Sequence, residues 1–233
     1  TAPSAPSLTK FSLDFPGAGL SAKPADGSYS IFTYADTAEA LLAQLGVSSA
    51  VLVAHDLGTT VAAELVHRHN AGMLGFDAAG CLLTNGSIFI DQAQLTDGQQ
   101  FLLALPDEML ADPLPAETIA AGLAASFPPD RPHPDDMAAM VWLIQRDRGD
   151  QLLPRVIRYI EERRQHQPRW TAAFAEYGGA PILGFSRLVI KAHGRSDARA
   201  IGRALRVAHH ALDNDLLGRV AAGIAEVNET FFA

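Results

Sequence analysis

The stretch Ala50-Val51-Leu52-Val53-Ala54-His55-Asp56-Leu57-Gly58-Thr59 decides how this chain is read. Its first five residues form a continuous apolar run with two β-branched valines, which predicts a strand buried on both faces of a parallel sheet. Small residues at 54 and 58 bracket Asp56. A helical pattern begins at once, with Leu57, Val61 and Leu65 at i+4 spacing and a helix predicted over 59–69. A strand that ends in small-x-Asp-x-Gly and enters a helix without a loop puts residue 56 on a tight turn. The helix N-terminus favours a carboxylate there, and the Leu57 N–H is placed to face a developing oxyanion. A plainer role fits the same residues, because Asp is a common helix N-cap. Both readings stand at this point.

Working outward, Ala35, Ala38, Leu41, Leu42 and Leu45 share one face of a helix predicted over 31–45, with Gly46 as its stop signal. Gly80-Cys81-Leu82-Leu83-Thr84 reads as a second buried strand. Phe11–Asp14 reads as a short strand running into the turn Pro16-Gly17-Ala18-Gly19. Strands alternating with helices predict an α/β fold with right-handed crossovers. The pattern then changes. Seven of the 14 prolines lie between Pro106 and Pro134, and a charged helical pattern runs on to Trp170. Within it Arg158, Arg163, Arg164 and Arg169 read as a solvated face pairing with Glu161 and Glu162. Strand signals return at Leu188-Val189-Ile190 and near 207–212. A last amphipathic helix carries Leu217, Val220, Ile224 and Val227. The expected organisation is an α/β core in two parts, 1–87 and 173–233, interrupted by a helical lid at 88–172.

Composition sets the outer limits. At about 150 residues per domain, 233 residues make one domain or one domain with a large insertion. With 48% apolar and 19% charged residues the chain is not disordered. A net charge of −8 leaves no basic excess for tracking phosphates, so no nucleic-acid partner is expected. No apolar run approaches the roughly 18–20 residues that span a bilayer, so no membrane partner is expected either. The single cysteine, Cys81, excludes an internal disulfide and a Cys-rich zinc site. It reads as a buried strand residue and fits a cytoplasmic location. The opening TAPSAPS has neither a basic nor a long apolar region, so it reads as a loose end, a processed terminus or a fragment boundary.

Several segments, in order, resemble the α/β-hydrolase superfamily, in its haloalkane-dehalogenase and epoxide-hydrolase-like branch. Asp14-Phe15-Pro16-Gly17-Ala18-Gly19-Leu20-Ser21 is similar to the family's D-x-P-G-x-G-x-S loop. Val53–Thr59 is similar to its nucleophile elbow, with Asp in place of Ser. Leu83–Ser87 resembles the strand end before the lid, and Tyr159–Arg163 with Arg169-Trp170-Thr171 resembles the end of the lid. Gly194-Arg195-Ser196-Asp197 is similar to the G-x-x-D that carries the triad acid. The resemblance spans about 10–205. It implies a mostly parallel sheet flanked by helices, with Asp56 as nucleophile, Leu57 N–H in the oxyanion hole and Asp197 orienting a histidine base. It further implies an alkyl-enzyme ester on a small apolar organic substrate of epoxide or haloalkane type, with no cofactor and no metal. Trp142 and Tyr159, on lid helices, are the candidate substrate contacts, although ordinary lid packing is the simpler account of both.

Two departures from the family pattern shape the expectation. The family places further strands and an H-G-x-P loop, which supplies a second oxyanion donor, ahead of the D-x-P-G-x-G segment. About ten residues stand there, so the N-terminal strands and that donor are expected to be missing. An unpaired sheet edge invites self-association. The family's base also sits in a Gly-His pair after the last strand, whereas Leu212–Arg219 contains none. Neighbouring strand residues face opposite ways, so at most one of His209 and His210 points to the site, and His210 is preferred. His55 reads as structural, and His133 and His166 as exposed. His67 and His69 lie about 200° apart around a helix and form no metal pair. Two functions follow: an Asp-nucleophile hydrolase with an impaired hydrolytic step, or a degenerate or truncated α/β-hydrolase-fold protein acting as a non-catalytic binding module.

Overall fold

The computed structural model describes residues 9–86, 88–127, 132–175, 180–182, 189–191, 205–206, 209 and 211–231. Helix α1 (Ile31–Gln44) starts at Ser30, whose hydroxyl accepts from Thr33 N–H at 3.1 Å. Glu162, far along the chain, accepts a second first-turn donor, Ile31 N–H, at 2.7 Å. Strand β1 (Ser49–His55) leads through Asp56 into α2 (Leu57–Asn70), and β2 (Asp77–Thr84) returns parallel to β1 with Val53 opposite Leu82 and His55 opposite Thr84. This strand–helix–strand unit carries the α/β expectation. Helix α2 packs against both strands and against α1, burying Val61 and Leu65 against Ile31, Tyr34 and Ala35.

The far face of the β1–β2 pair is open. Val51 and Val53 are 62% and 74% exposed, and Leu82, opposite Val53, is exposed as well; Cys81, expected to be buried, is also exposed, though its partner Leu52 sets it on the other face. The expectation of strands buried on both faces is therefore corrected. Alternation puts Ala54 and Leu52 toward α2 and the valines outward, and among the described residues no element covers the outward side. Phe11–Asp14 forms no strand, since no neighbour pairs with it.

From 88 to 175 every described regular element is helical. After a single 3-10 turn at Ile90–Gln92 come α3 (Asp97–Ala104), α4 (Ala116–Ala124) and α5 (Pro134–Gln145). A 3-10 segment, Arg146–Leu152, then leads to α6 (Leu153–Val156) and α7 (Tyr159–Ala175). A capping box of Thr96 and Gln99 starts α3, and His133 Nδ1 accepts from Asp135 N–H at the start of α5. Helix α7 lies along α2, presenting Ile160, Arg163, Trp170 and Ala173 as its buried stripe.

Past 175 the described pieces depart from the expected parallel core. Strands β3 (Ala180–Ile182) and β4 (Val189–Lys191) form an antiparallel pair of their own, not an extension of β1–β2. The strand expected near 207–212 is replaced by helical residues at 209 and 211–213, with His209 paired to Asp213 at 2.7 Å, one helical turn away. Helix α8 (Leu216–Phe231) is the expected last helix. No helix among the described residues is long and apolar enough to cross a membrane.

Candidate active site

The turn between β1 and α2 has the geometry of a nucleophile elbow. Asp56 sits at φ 46°, ψ −114°, a region that a non-glycine residue occupies only under constraint. The constraint is visible in its backbone bonds. Asp56 N–H donates to Thr84 O at 3.2 Å, tying the turn to the end of β2. Its carbonyl accepts from Thr59 N–H at 3.1 Å, Thr59 Oγ1 at 2.6 Å and the Arg163 guanidinium at 3.2 Å. The loop after β2 presses close on the same turn: a Cβ on Gly86 would lie 2.2 Å from Thr59 Oγ1, so only glycine fits. Gly58 is less demanding, because a Cβ there would meet Ala54 Cβ at an ordinary 3.8 Å.

The side chain of Asp56 makes no capping hydrogen bond and is 62% exposed. The capping bond that the plainer reading requires is not made, since an N-cap aspartate would turn its carboxylate onto the first-turn N–H groups. Leu57 is the first residue of α2, where backbone N–H groups have no intrahelical acceptor. The carboxylate thus stands in solvent reach beside the first-turn donors and the positive end of the helix.

Arg163 is the residue that sequence reasoning missed. It is 2% exposed, not part of a solvated face. Its Nε donates to buried Thr60 Oγ1 at 2.7 Å, and its terminal nitrogen lies 4.0 Å from Asp56 Oδ1. The guanidinium covers the Tyr159 ring at 4.6 Å. Burial lowers its pKa, opposed by Tyr159 and Asp56. The Tyr159 phenol, which accepts from Gln99 Nε2 at 3.4 Å, is pushed upward by burial against the pull of Arg163. The spacing carried a signal: Tyr159, Ile160, Arg163 and Trp170 fall on one helical stripe, so the arginine lies where an apolar residue would be expected.

The remaining arginines divide. Arg158 does pair with Glu161, at 3.1 Å, but also donates to the Leu102, Leu103 and Leu105 carbonyls at the end of α3. Arg169 donates two bonds, at 2.8 and 2.9 Å, to Glu64 on α2. Glu64 is 1% exposed and also accepts from Arg68 at 2.9 Å and Trp170 Nε1 at 3.0 Å. Burial pushes its carboxyl up, and the bonds from Arg169, Arg68 and Trp170 outweigh that and hold it near pKa 2.

Of the other sequence candidates, Tyr159 lies against the elbow through Arg163. Trp142 does not join it: the indole is 57% exposed on α5, beside Arg146, and α5 packs on α4 and the 3-10 segment. His55 points its Nε2 to Asn85 at 3.3 Å. His166 is half-buried against Phe32 and Trp170, not exposed. Asp197 and His210 lie outside the described residues. Among the described residues no group of three potential ligands could hold a metal.

The family model of the α/β-hydrolase fold matches residues 6–110. LipZ of Mycobacterium tuberculosis, named as a candidate hydrolase, is 31% identical over 166 residues, 71% of this chain and 58% of that protein. The chain thus spans less than two thirds of this relative. A second family, described as a fatty acid synthesis protein, matches residues 164–219. There the phosphate acyltransferase of Desulforudis audaxviator is 48% identical over 56 residues, 24% of this chain and 17% of that enzyme. Among solved structures, the N-acyl homoserine lactonase AidH superposes with a TM-score of 0.49 at 18% identity, over 70% of this chain and 54% of the other. The tetrapeptide Gly194-Arg195-Ser196-Asp197 and both His209 and His210 fall inside the second match. A four-residue pattern such as G-x-x-D is short enough to recur by chance.

Proposed function

The chain belongs to the α/β-hydrolase superfamily through its N-terminal part, and on that premise we propose that it is a hydrolase in which Asp56 is the nucleophile toward small apolar electrophiles of epoxide or haloalkane type. One observation carries the reading: Asp56 occupies φ 46°, ψ −114° with its carboxylate uncapped and exposed at the start of α2. In the first step a carboxylate oxygen bonds to the electrophilic carbon. The carbon–oxygen bond of the epoxide, or the carbon–halogen bond, breaks with its electron pair. An epoxide oxygen then takes a proton from water, and a halide leaves as the ion. This step needs an ionised Asp56 and donors nearby, and the first-turn N–H of Leu57 is the nearest candidate. Tyr159, beneath Arg163, belongs to the same neighbourhood.

Release of the ester needs water attacking the carboxyl carbon and a base to take its proton, a contribution of about 10²–10⁴-fold. Asp197 and His210 are the residues the sequence offers, and both fall in the stretch that matches the other family. The proposal therefore gives neither a part in the first step and has the second step slow, so that the ester accumulates. The same match favours a second reading, in which the chain keeps the elbow as a non-catalytic binding module.

Intact-mass analysis after incubation with a panel of 1,2-epoxides and 1-haloalkanes separates the two. The nucleophile reading expects a stoichiometric adduct on the peptide holding residue 56, absent from Asp56→Asn. An unmodified wild-type chain supports the binding module, and turnover that survives Asp56→Asn overturns the nucleophile.

A further inference from the structure

We propose that Arg163 is a positioning residue for the elbow, fixing through the Asp56 carbonyl the direction in which the Leu57 N–H points. The inference rests on the reading of Asp56 as nucleophile for its consequence, though not for its geometry. A guanidinium removed from water is costly unless its donors and charge are answered. The neighbouring carboxylates are engaged elsewhere: Glu161 with Arg158, Glu162 with Ile31 N–H, and Glu64 with Arg68, Arg169 and Trp170. What answers Arg163 is the elbow and its surroundings: Thr60 Oγ1 at 2.7 Å, the Asp56 carbonyl at 3.2 Å, the Tyr159 ring at 4.6 Å and the Asp56 carboxylate at 4.0 Å.

The consequence follows from peptide planarity. In a trans peptide the C=O of residue 56 and the N–H of residue 57 lie in one plane and point in opposite directions. Holding the carbonyl toward Arg163 and Thr59 aims the Leu57 N–H away from them. Thr59 lies on α2 itself and moves with it, whereas Arg163 comes from α7. The helical segment thereby sets the donor direction and holds the strained φ of the residue before it. Arginine suits the task because its fork reaches a hydroxyl and a carbonyl at once, which a lysine ammonium does less well.

The test compares wild type with Arg163→Gln, Arg163→Lys and Thr60→Val, each about 20 °C below its own Tm. Two quantities are read: the rate of adduct formation by 1,2-epoxyhexane at Asp56, from intact mass, and amide exchange at 57–60 relative to α1. Small misplacements of reacting groups cost rates heavily, so Arg163→Gln is expected to slow the adduct by about tenfold or more. Arg163→Lys should recover part of that rate. An adduct rate in Arg163→Gln equal to wild type overturns the proposal. If wild type forms no adduct, the nucleophile reading fails and exchange decides the positioning role: about tenfold faster exchange at 57–60 with α1 unchanged sustains it, and unchanged exchange overturns it. Should Arg163→Gln not fold, Thr60→Val, which removes only the Nε acceptor, is read by the same criteria, with about threefold as the expected effect.

Discussion

Arg163 and Arg169 both reach from α7 to α2, yet they meet that helix on different terms. At the middle of α2, Arg169 meets Glu64, a buried carboxylate with every lone pair engaged by Arg68, Arg169 and Trp170. At the N-terminus of α2, Arg163 meets a carbonyl and a hydroxyl, and leaves the Asp56 carboxylate 4.0 Å away, exposed and without a cap. The Glu64 cluster spends its charges on holding α2 to α7. The elbow spends its hydrogen bonds on an unfavourable backbone conformation and keeps its charge free. A carboxylate saturated with donors is a weak nucleophile, so of the two only Asp56 is left available for the proposed chemistry.

The comparison can be broken by exchanging the two carboxylates for neutral groups. Glu64→Gln should cost about 3 kcal/mol, because it takes from Arg169 its carboxylate partner and neutralises a fully buried acceptor, while Arg68 keeps Asp36 and Glu39. At this chain length that lowers Tm by roughly 6–12 °C, measurable by calorimetry. Asp56→Asn, by contrast, should leave Tm within about 2 °C, since the side chain is exposed and its pairing with Arg163 is a long 4.0 Å.

Acid sharpens the same contrast. The folded pKa of Glu64 lies near 2, below its ordinary value of 4.5. Its stabilising contribution is therefore complete above pH 4.5 and is lost as pH falls toward 2. Urea midpoints measured across that window should fall more steeply for wild type than for Glu64→Gln, by up to about 3 kcal/mol in total. Equal slopes would show that Glu64 is not held ionised in the fold.

A second change at residue 56 is expected to be a gain. Asp56→Gly relieves a positive φ that costs a non-glycine residue about 1 kcal/mol, so Tm should rise by roughly 2–4 °C. A fall in Tm would mean that the elbow is not strained. The gain comes with loss of the proposed nucleophile, as expected where stability and chemistry compete for one residue.

How much of this was legible in the residues differs from place to place. The β1–α2–β2 unit was readable because its signals are local: an apolar run, small residues around Asp56, and i+4 spacing from Leu57 to Leu65. Tyr159 could be placed near the site by resemblance. Arg163 was misread because Glu161-Glu162-Arg163-Arg164 looks like a charge run, although its spacing from Ile160 and Trp170 sets it on the buried stripe. Val51 and Val53 looked like core because an apolar strand carries no mark of whether its second face will find a cover. Leu188-Val189-Ile190 was recognisable as a strand, overlapping β4 (Val189–Lys191), but not its antiparallel partner, because strand propensity says nothing of pairing. The G-x-x-D at 194–197 is short, and it lies within a 56-residue likeness to another family.

The sequence by itself determined the strand, the turn and the helix around Asp56, since small residues and helical periodicity act within a dozen positions. It also determined the helical character of the described residues within 88–172, where prolines punctuate helical spacing and no alternating pattern competes. Only the tertiary structure decided that Asp56 is a displayed carboxylate and not a cap. That outcome depends on its φ, and its φ is held by Thr84 from the next strand and by Arg163 from more than a hundred residues away. Contacts at that separation form only once the chain is folded, and no local propensity encodes them.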